Sequence, residues 1–199
     1  MKSTIIKLVL FAVIIFLGYM VYQSIMQPMD FLKEKKHREV EVVQRLKDIR
    51  NIQSYYKNAK GSYTGSFDSL ISFLKVGEIP VVSVIPDPTD TTFTRTISDT
   101  LGYVKVSDSL FKARRNFVIN DLRFIPYSEG AQFEMGAGEM DRGGVKVSVF
   151  EAKAPFKVYL KGMDSQRIMN LVASEEAIER FPGLKVGSLT EPSTDGNWE

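Results

Sequence analysis

The 199-residue chain contains no cysteine, one histidine and one tryptophan. Without cysteine there is no disulfide, thiolate nucleophile, Cys-ligated metal or lipoprotein anchor. That absence fits either side of a membrane. The lone histidine, His37, stands among juxtamembrane lysines and arginines, so a Ser-His-Asp triad in a head domain is not expected. An excess of one charge is missing too: Lys plus Arg number 26 and Asp plus Glu 24, a formal net charge of +2. Nucleic-acid binding needs a dominant basic surface, so no nucleic-acid partner is expected. What remains is a normal folding composition, 44% hydrophobic and 25% charged, in a length that suits one domain with an appendage.

The appendage is N-terminal. Leu8 to Met26, "LVLFAVIIFLGYMVYQSIM", carries no formal charge. As a helix it covers roughly 29 Å, close to the hydrocarbon thickness of a bilayer. Its apolar side chains, among them Leu8, Phe11, Ile14, Ile15, Phe16, Leu17 and Val21, surround the axis, which argues against a core helix. Tyr19 and Tyr22 stand near its far end, where interfacial aromatics are favoured. The exit, Gln23-Ser24-Ile25-Met26-Gln27, is a poor signal-peptidase site, so an uncleaved single-pass anchor in the lipid bilayer is expected. Lys2 and Lys7 precede the span and Lys33, Lys35, Lys36 and Arg38 follow it, so charge counting alone favours a cytoplasmic C-terminal part.

From Phe31 to Ala59 the chain has helix-forming composition without Gly or Pro. Lys33 to Glu41 is charged on every face and reads as a solvated stalk, with Glu34–Arg38 and Glu41–Arg45 as i,i+4 pairs. Val42, Leu46, Ile49, Gln53 and Tyr56 then recur at spacings of four and three, with Ile52 and Ala59 alongside. Packing of this stripe on the chain's own head is preferred; a self-associating seam, and so an oligomer, is the alternative. Pro28 predicts a break between anchor and stalk. The division is 1–28 as transmembrane anchor, 29–60 as stalk and amphipathic helix, and 61–199 as a globular α+β head.

Gly61 suits the left-handed position after a helix, and Ser66 caps a short helix with Phe67, Leu70, Ile71 and Leu74 inside. Ile79 to Gly102 reads as an extended connection with one strand near Val81 to Ile85; Asp87 and Asp90 are too few for a sequence-local calcium site. "GYVKVS", "NFVINDLRFIPY", "AQFEM", "VKVSVFEA" and "PFKVYLKG" read as strands of an antiparallel sheet. In the fourth, Val145, Val147 and Val149 share a face; in the fifth, Lys157, Tyr159 and Lys161 form a polar face. "GAGEMDRGG" lacks the Gly-Lys-Ser/Thr of a phosphate loop and reads as a hairpin connection. Asp164 or Ser165 caps a helix reaching Arg180, with Ile168, Leu171, Val172 and Ile178 inside, "LKVGSL" is a last strand, and Glu191 to Glu199 is loose. The expected fold is α+β: an N-terminal transmembrane helix, a long amphipathic helix packed on an antiparallel sheet, and one C-terminal helix.

The helix closed by "YYKNAKGSYT" behind an apolar N-terminus resembles the N-terminal unit of type IV pilins and type II secretion pseudopilins. The resemblance covers about a quarter of the chain. The family's processing site, Gly before an aromatic residue with Glu in the fifth position, has only Gly18-Tyr19 with Gln23 as its counterpart. Cleavage there would destroy the anchor, so processing and polymerisation as a pilin are not expected. Over its whole length, including "PGLKVGSLTEPSTDGNWE", the chain resembles uncharacterised single-pass envelope proteins of Bacteroidota, which implies a Gram-negative inner membrane and a periplasmic head.

The sequence shows no catalytic set, no metal ligands and no cofactor motif. Glu134 with Glu139 is a generic acidic pair, the sole basis for a carboxylate hydrolase, and Arg114-Arg115 is a generic basic pair. The leading expectation is a noncatalytic membrane-anchored subunit or scaffold of an envelope assembly: pilin-like, secretion or motility machinery. Partner contacts are expected at the stripe's edge (Gln53, Tyr55) and at Lys157, Tyr159 and Lys161. A small-molecule or glycan binding head is the alternative.

Overall fold

The computed structural model describes residues 2–86, 96–111, 114 and 117–199. It has the expected α+β composition of one long N-terminal helix, antiparallel sheets and a C-terminal helix. Helix α1, Lys2–Lys60, runs 59 residues without interruption. Pro28 lies inside it, and the expected break is absent. Proline removes one hydrogen bond, here to the Ser24 carbonyl, which lies at the exposed end of the apolar run where water can replace it. One turn later Phe31 is buried and fixes the helix to the head.

Gly61 ends α1 at φ 86°, and its N–H donates to the Lys57 carbonyl at 2.7 Å. Ser66 caps α2, Phe67–Val76, which buries Leu70, Ile71, Phe73 and Leu74. Strands β1, Glu78–Pro86, and β2, Thr96–Lys105, form a separate two-stranded antiparallel ribbon. Asp87 and Asp90 lie outside the described residues. The end of "GYVKVS" turns into α3, Val106–Phe111, and "NFVINDLRFIPY" holds a 3-10 turn, Ile119–Arg123, where a strand was expected.

The main sheet is β3–β4–β5: Glu134–Arg142, Val145–Pro155 and Gly183–Gly187, all antiparallel. The "GAGEMDR" stretch is therefore strand, and only Gly143-Gly144 turns, both with positive φ as a two-residue hairpin requires. The sheet face turned to α1 carries Phe150, Ala152 and Ala154, not the valines: Val145 is exposed, while Val149 is covered on the opposite face. "PFKVYLKG" is also not a strand. Phe156–Tyr159 is a helical turn, α4, which buries Phe156, Tyr159 and Leu160 at offsets of three and four.

Asp164 caps α5, Ser165–Glu176, accepting from the Arg167 N–H at 3.0 Å. The helix stops short of Arg180, so Ile178 is exposed while Ile168 and Val172 are buried. The C-terminal tail is not loose at its end. Asn197 bonds the backbone of Lys185 and Gly183, and Glu199 accepts from Arg50 at 2.8 Å. The core is a sandwich of the α1 stripe Val42, Leu46, Ile49 and Ile52, the inner sheet face, and α2.

Candidate functional site

The apolar half of α1 is uncovered. Leu8, Phe11, Ile14, Ile15, Phe16, Leu17 and Val21 are 54–65% exposed, on all sides of the helix. The best 18-residue window has mean hydropathy 2.5, and none of it is buried within the protein. An apolar helix of this length is long enough to span a bilayer.

Above it, the stretch expected to be a solvated stalk is a collar that grips the head. Arg38 donates to Glu34 Oε1 (2.8 Å) and to the carbonyls of Tyr159 (3.2 Å) and Lys161 (3.0 Å). It thereby satisfies carbonyls that α4 leaves open at its C-terminus. Its guanidinium also lies 5.1 Å from the centre of the Tyr127 ring. Tyr159, fully buried, donates its hydroxyl to Glu39 Oε1 at 3.2 Å, and Lys35 pairs with the same oxygen at 2.6 Å. The Tyr127 hydroxyl donates to Glu41 Oε1 at 2.7 Å, with His37 Nε2 at 3.3 Å. The bond to Glu41 leads in pushing the Tyr127 phenol up to about 12, and burial leads in raising that of Tyr159. Both stay neutral donors near neutral pH. Arg45, expected to pair with Glu41, donates instead to the Asp121 carbonyl.

Two polar side chains inside the α1 stripe are buried. Gln53 uses both ends of its amide on Thr64, donating from Nε2 to the carbonyl (2.5 Å) and accepting the N–H at Oε1 (3.2 Å). This ties the Gly-x-Tyr-Thr turn back to the helix. Asp48, 2% exposed, receives Arg114 in a two-pronged pair (2.8 and 2.5 Å) and Gln44 at 3.1 Å. The hydrogen bond that Arg114 donates to Asp48 raises the Arg114 pKa, while burial lowers that of Arg45 nearby. Arg114 also lies over Phe111 and Phe117, which stack at 3.8 Å. It is thus engaged internally, and Arg115 lies outside the described residues.

The expected partner surface is largely overturned. Gln53 and Tyr159 are buried, and Tyr55 and Tyr56 are half-buried against the core. Only Lys157 and Lys161 are exposed, and Lys161 pairs with Glu129 at 2.5 Å. Glu134 and Glu139 stand five apart on β3, an odd offset that directs them to opposite faces. No group of three metal-ligating side chains occurs among the described residues.

Two features escaped the sequence reading. The β1–β2 ribbon leaves Leu101 and Tyr103 about 70% exposed (70% and 69%), with no third strand on either edge among the described residues. A cleft of about 700 Å3 opens between α1, the end of α5 and the C-terminus. Its walls combine Phe156, Phe181 and Trp198 with Lys35, Glu39 and Lys185. Trp198 Nε1 is buried and, among the described residues, unpartnered. No protein-family model, curated protein or solved structure matches the chain.

Proposed function

We propose that the protein is a single-pass membrane protein whose head is a noncatalytic subunit or scaffold of an envelope assembly. The observation that carries this reading is α1, one unbroken helix with an uncovered apolar half and a head-burying half. Such a rod fixes the head beside the lipid and raises its effective concentration for partners there, so modest interfaces suffice. The β1–β2 ribbon is the surface offered to them: a two-stranded ribbon is marginal alone, and open edges with exposed Leu101 and Tyr103 invite pairing. A periplasmic head on an inner membrane is the setting the resemblance to Bacteroidota envelope proteins favours, and the pilin-like N-terminal unit adds pilus-like, secretion or motility machinery. Reporter fusions at the C-terminus test that orientation. Purification of the intact protein from membranes in mild detergent should recover a stoichiometric partner, lost in L101K/Y103K. Recovery of a clean monomer from both would sink the proposal.

The cleft favours a second reading, a head that binds a small molecule or glycan. Aromatic walls with charges of both signs suit a polar ring or a zwitterion. Trp198 is the only tryptophan in the chain, so its emission reports on this cleft. A shift on titration with a mono- or oligosaccharide would support this reading, and an unchanged spectrum across a broad panel would remove it.

A further inference from the structure

Helix α5 crosses α1 where α1 leaves the apolar segment. From the cap residue along α5, Asp164, Arg167, Asn170, Leu171 and Ser174 line hollows shared with Gln27, Pro28, Phe31, Leu32 and Glu34 of α1. The start of α5 meets Gln27, Phe31 and Glu34, and its later turns meet Pro28, Phe31 and Leu32, the same two turns of α1 on an adjoining face, so α5 lies across the rod rather than along it. Contacts higher up are ordered in sequence: α4 meets α1 at Lys35–Glu39, the C-terminus at Arg50 and the post-helical turn at Gln53. Among these contacts, α5 is therefore the element of the head nearest the apolar segment.

Its orientation follows from the helical wheel. The side turned to α1 (Arg167, Leu171, Ser174) and the side buried under the head (Ile168, Val172) are about a third of a turn apart, with Asn170 on the flank of the α1 side away from the head. The side opposite the head, Gln166, Asn170 and Ala173, with Met169 beside it, therefore points back down α1. All four are exposed, and none is charged, in a chain with 25% charged residues. The one charge of α5 before Glu175, Arg167, is turned to Phe31, 5.9 Å from its ring centre. Pro28 to Leu32 lies about 3–9 Å beyond Met26, a depth that matches the headgroup layer outside the hydrocarbon.

We infer that the Gln166–Asn170–Ala173 face of α5 rests on the phospholipid headgroups of the bilayer that α1 enters, so that the head is seated on the membrane. The inference rests on the anchor reading. Amide and small side chains can hydrogen-bond phosphate and glycerol oxygens, Met169 can enter the interface, and no carboxylate on this face repels the phosphates. The head thus has two attachments to one bilayer, a spanning helix and a helix lying flat.

The cysteine-free chain allows single-site labelling without background. Full-length L17C, N170C and K146C, each carrying an environment-insensitive fluorophore, are reconstituted in phosphatidylcholine vesicles containing nitroxide lipids. Lys146 is the distant reference: its neighbour Ser148 accepts from the Tyr63 N–H at 3.0 Å, beyond the far end of α1, roughly 50 Å from Met26. Headgroup nitroxide should quench the label at 170 roughly twofold or more and leave that at 146 unchanged, while acyl-chain nitroxide quenches that at 17. Equal, weak quenching at 170 and 146 with strong quenching at 17 would overturn the seated head and leave the anchor standing. No quenching at 17 would overturn both. Repetition with Q166C guards against a local effect of the label at 170.

Discussion

Gln53 shows how a single polar residue can be misjudged by its spacing. Its place in the stripe was legible, but its burial was not, because its partner Thr64 lies beyond a turn whose path depends on the folded head. Replacing it by leucine keeps the volume near constant and strands the Thr64 N–H and carbonyl. We expect Q53L to lose about 1–3 kcal/mol of stability in chemical denaturation. Tyr127 gives a pH signature. Its folded value of about 12 is above the ordinary value near 10, so its contribution is fully present below pH ~10 and disappears as pH rises towards 12. The ionised phenolate would then face Glu41. Y127F should flatten that part of the alkaline stability loss, read as melting temperature against pH, and an unchanged profile would remove the Tyr127–Glu41 bond from the account.

Among elements, those with local punctuation were legible. Ser66 and Asp164 cap the helices expected of them, Gly61 ends α1, and β5 begins at Gly183. Elements whose identity depends on remote contacts were not. In "PFKVYLKG" an apolar residue falls at 156, 158 and 160, which fits a strand, and at 156, 159 and 160, which fits a helical turn; eight residues satisfy both periods. Arg38 and Glu39, more than a hundred residues away, settle the choice by taking the α4 carbonyls and the Tyr159 hydroxyl. The charged run on α1 misled for the same reason, since a guanidinium facing water and one facing carbonyls have the same letter. Phe31 joins α1 to α5 near the apolar segment, and F31A should cost about 3 kcal/mol or more. Hydrogen exchange should rise first in α5; uniform acceleration over the head would refute that local role.

For the whole molecule, length, composition and apolar run gave the α+β class and the anchor-like helix directly, because both are set by global pattern rather than by particular contacts. The cleft could not be read this way, since it is assembled from segments far apart in the chain, and the exposure of the ribbon depends on what the rest of the head leaves uncovered. A charge in the middle of the apolar run tests the anchor. L17D should cost about 3 kcal/mol of insertion and move protein from the alkaline-washed membrane pellet into the supernatant. An unchanged distribution would mean that another feature holds the protein there.

The continuity of α1 through Pro28 also governs turnover. Many tethered ectodomains are shed when a protease nicks a slack hinge next to the lipid. Here the stretch joining the two halves is wound helix, held to the folded body by the buried Phe31, so a sheddase cutting there must first unwind a turn. On the anchor reading, release of the body into solution is therefore coupled to local unwinding of α1.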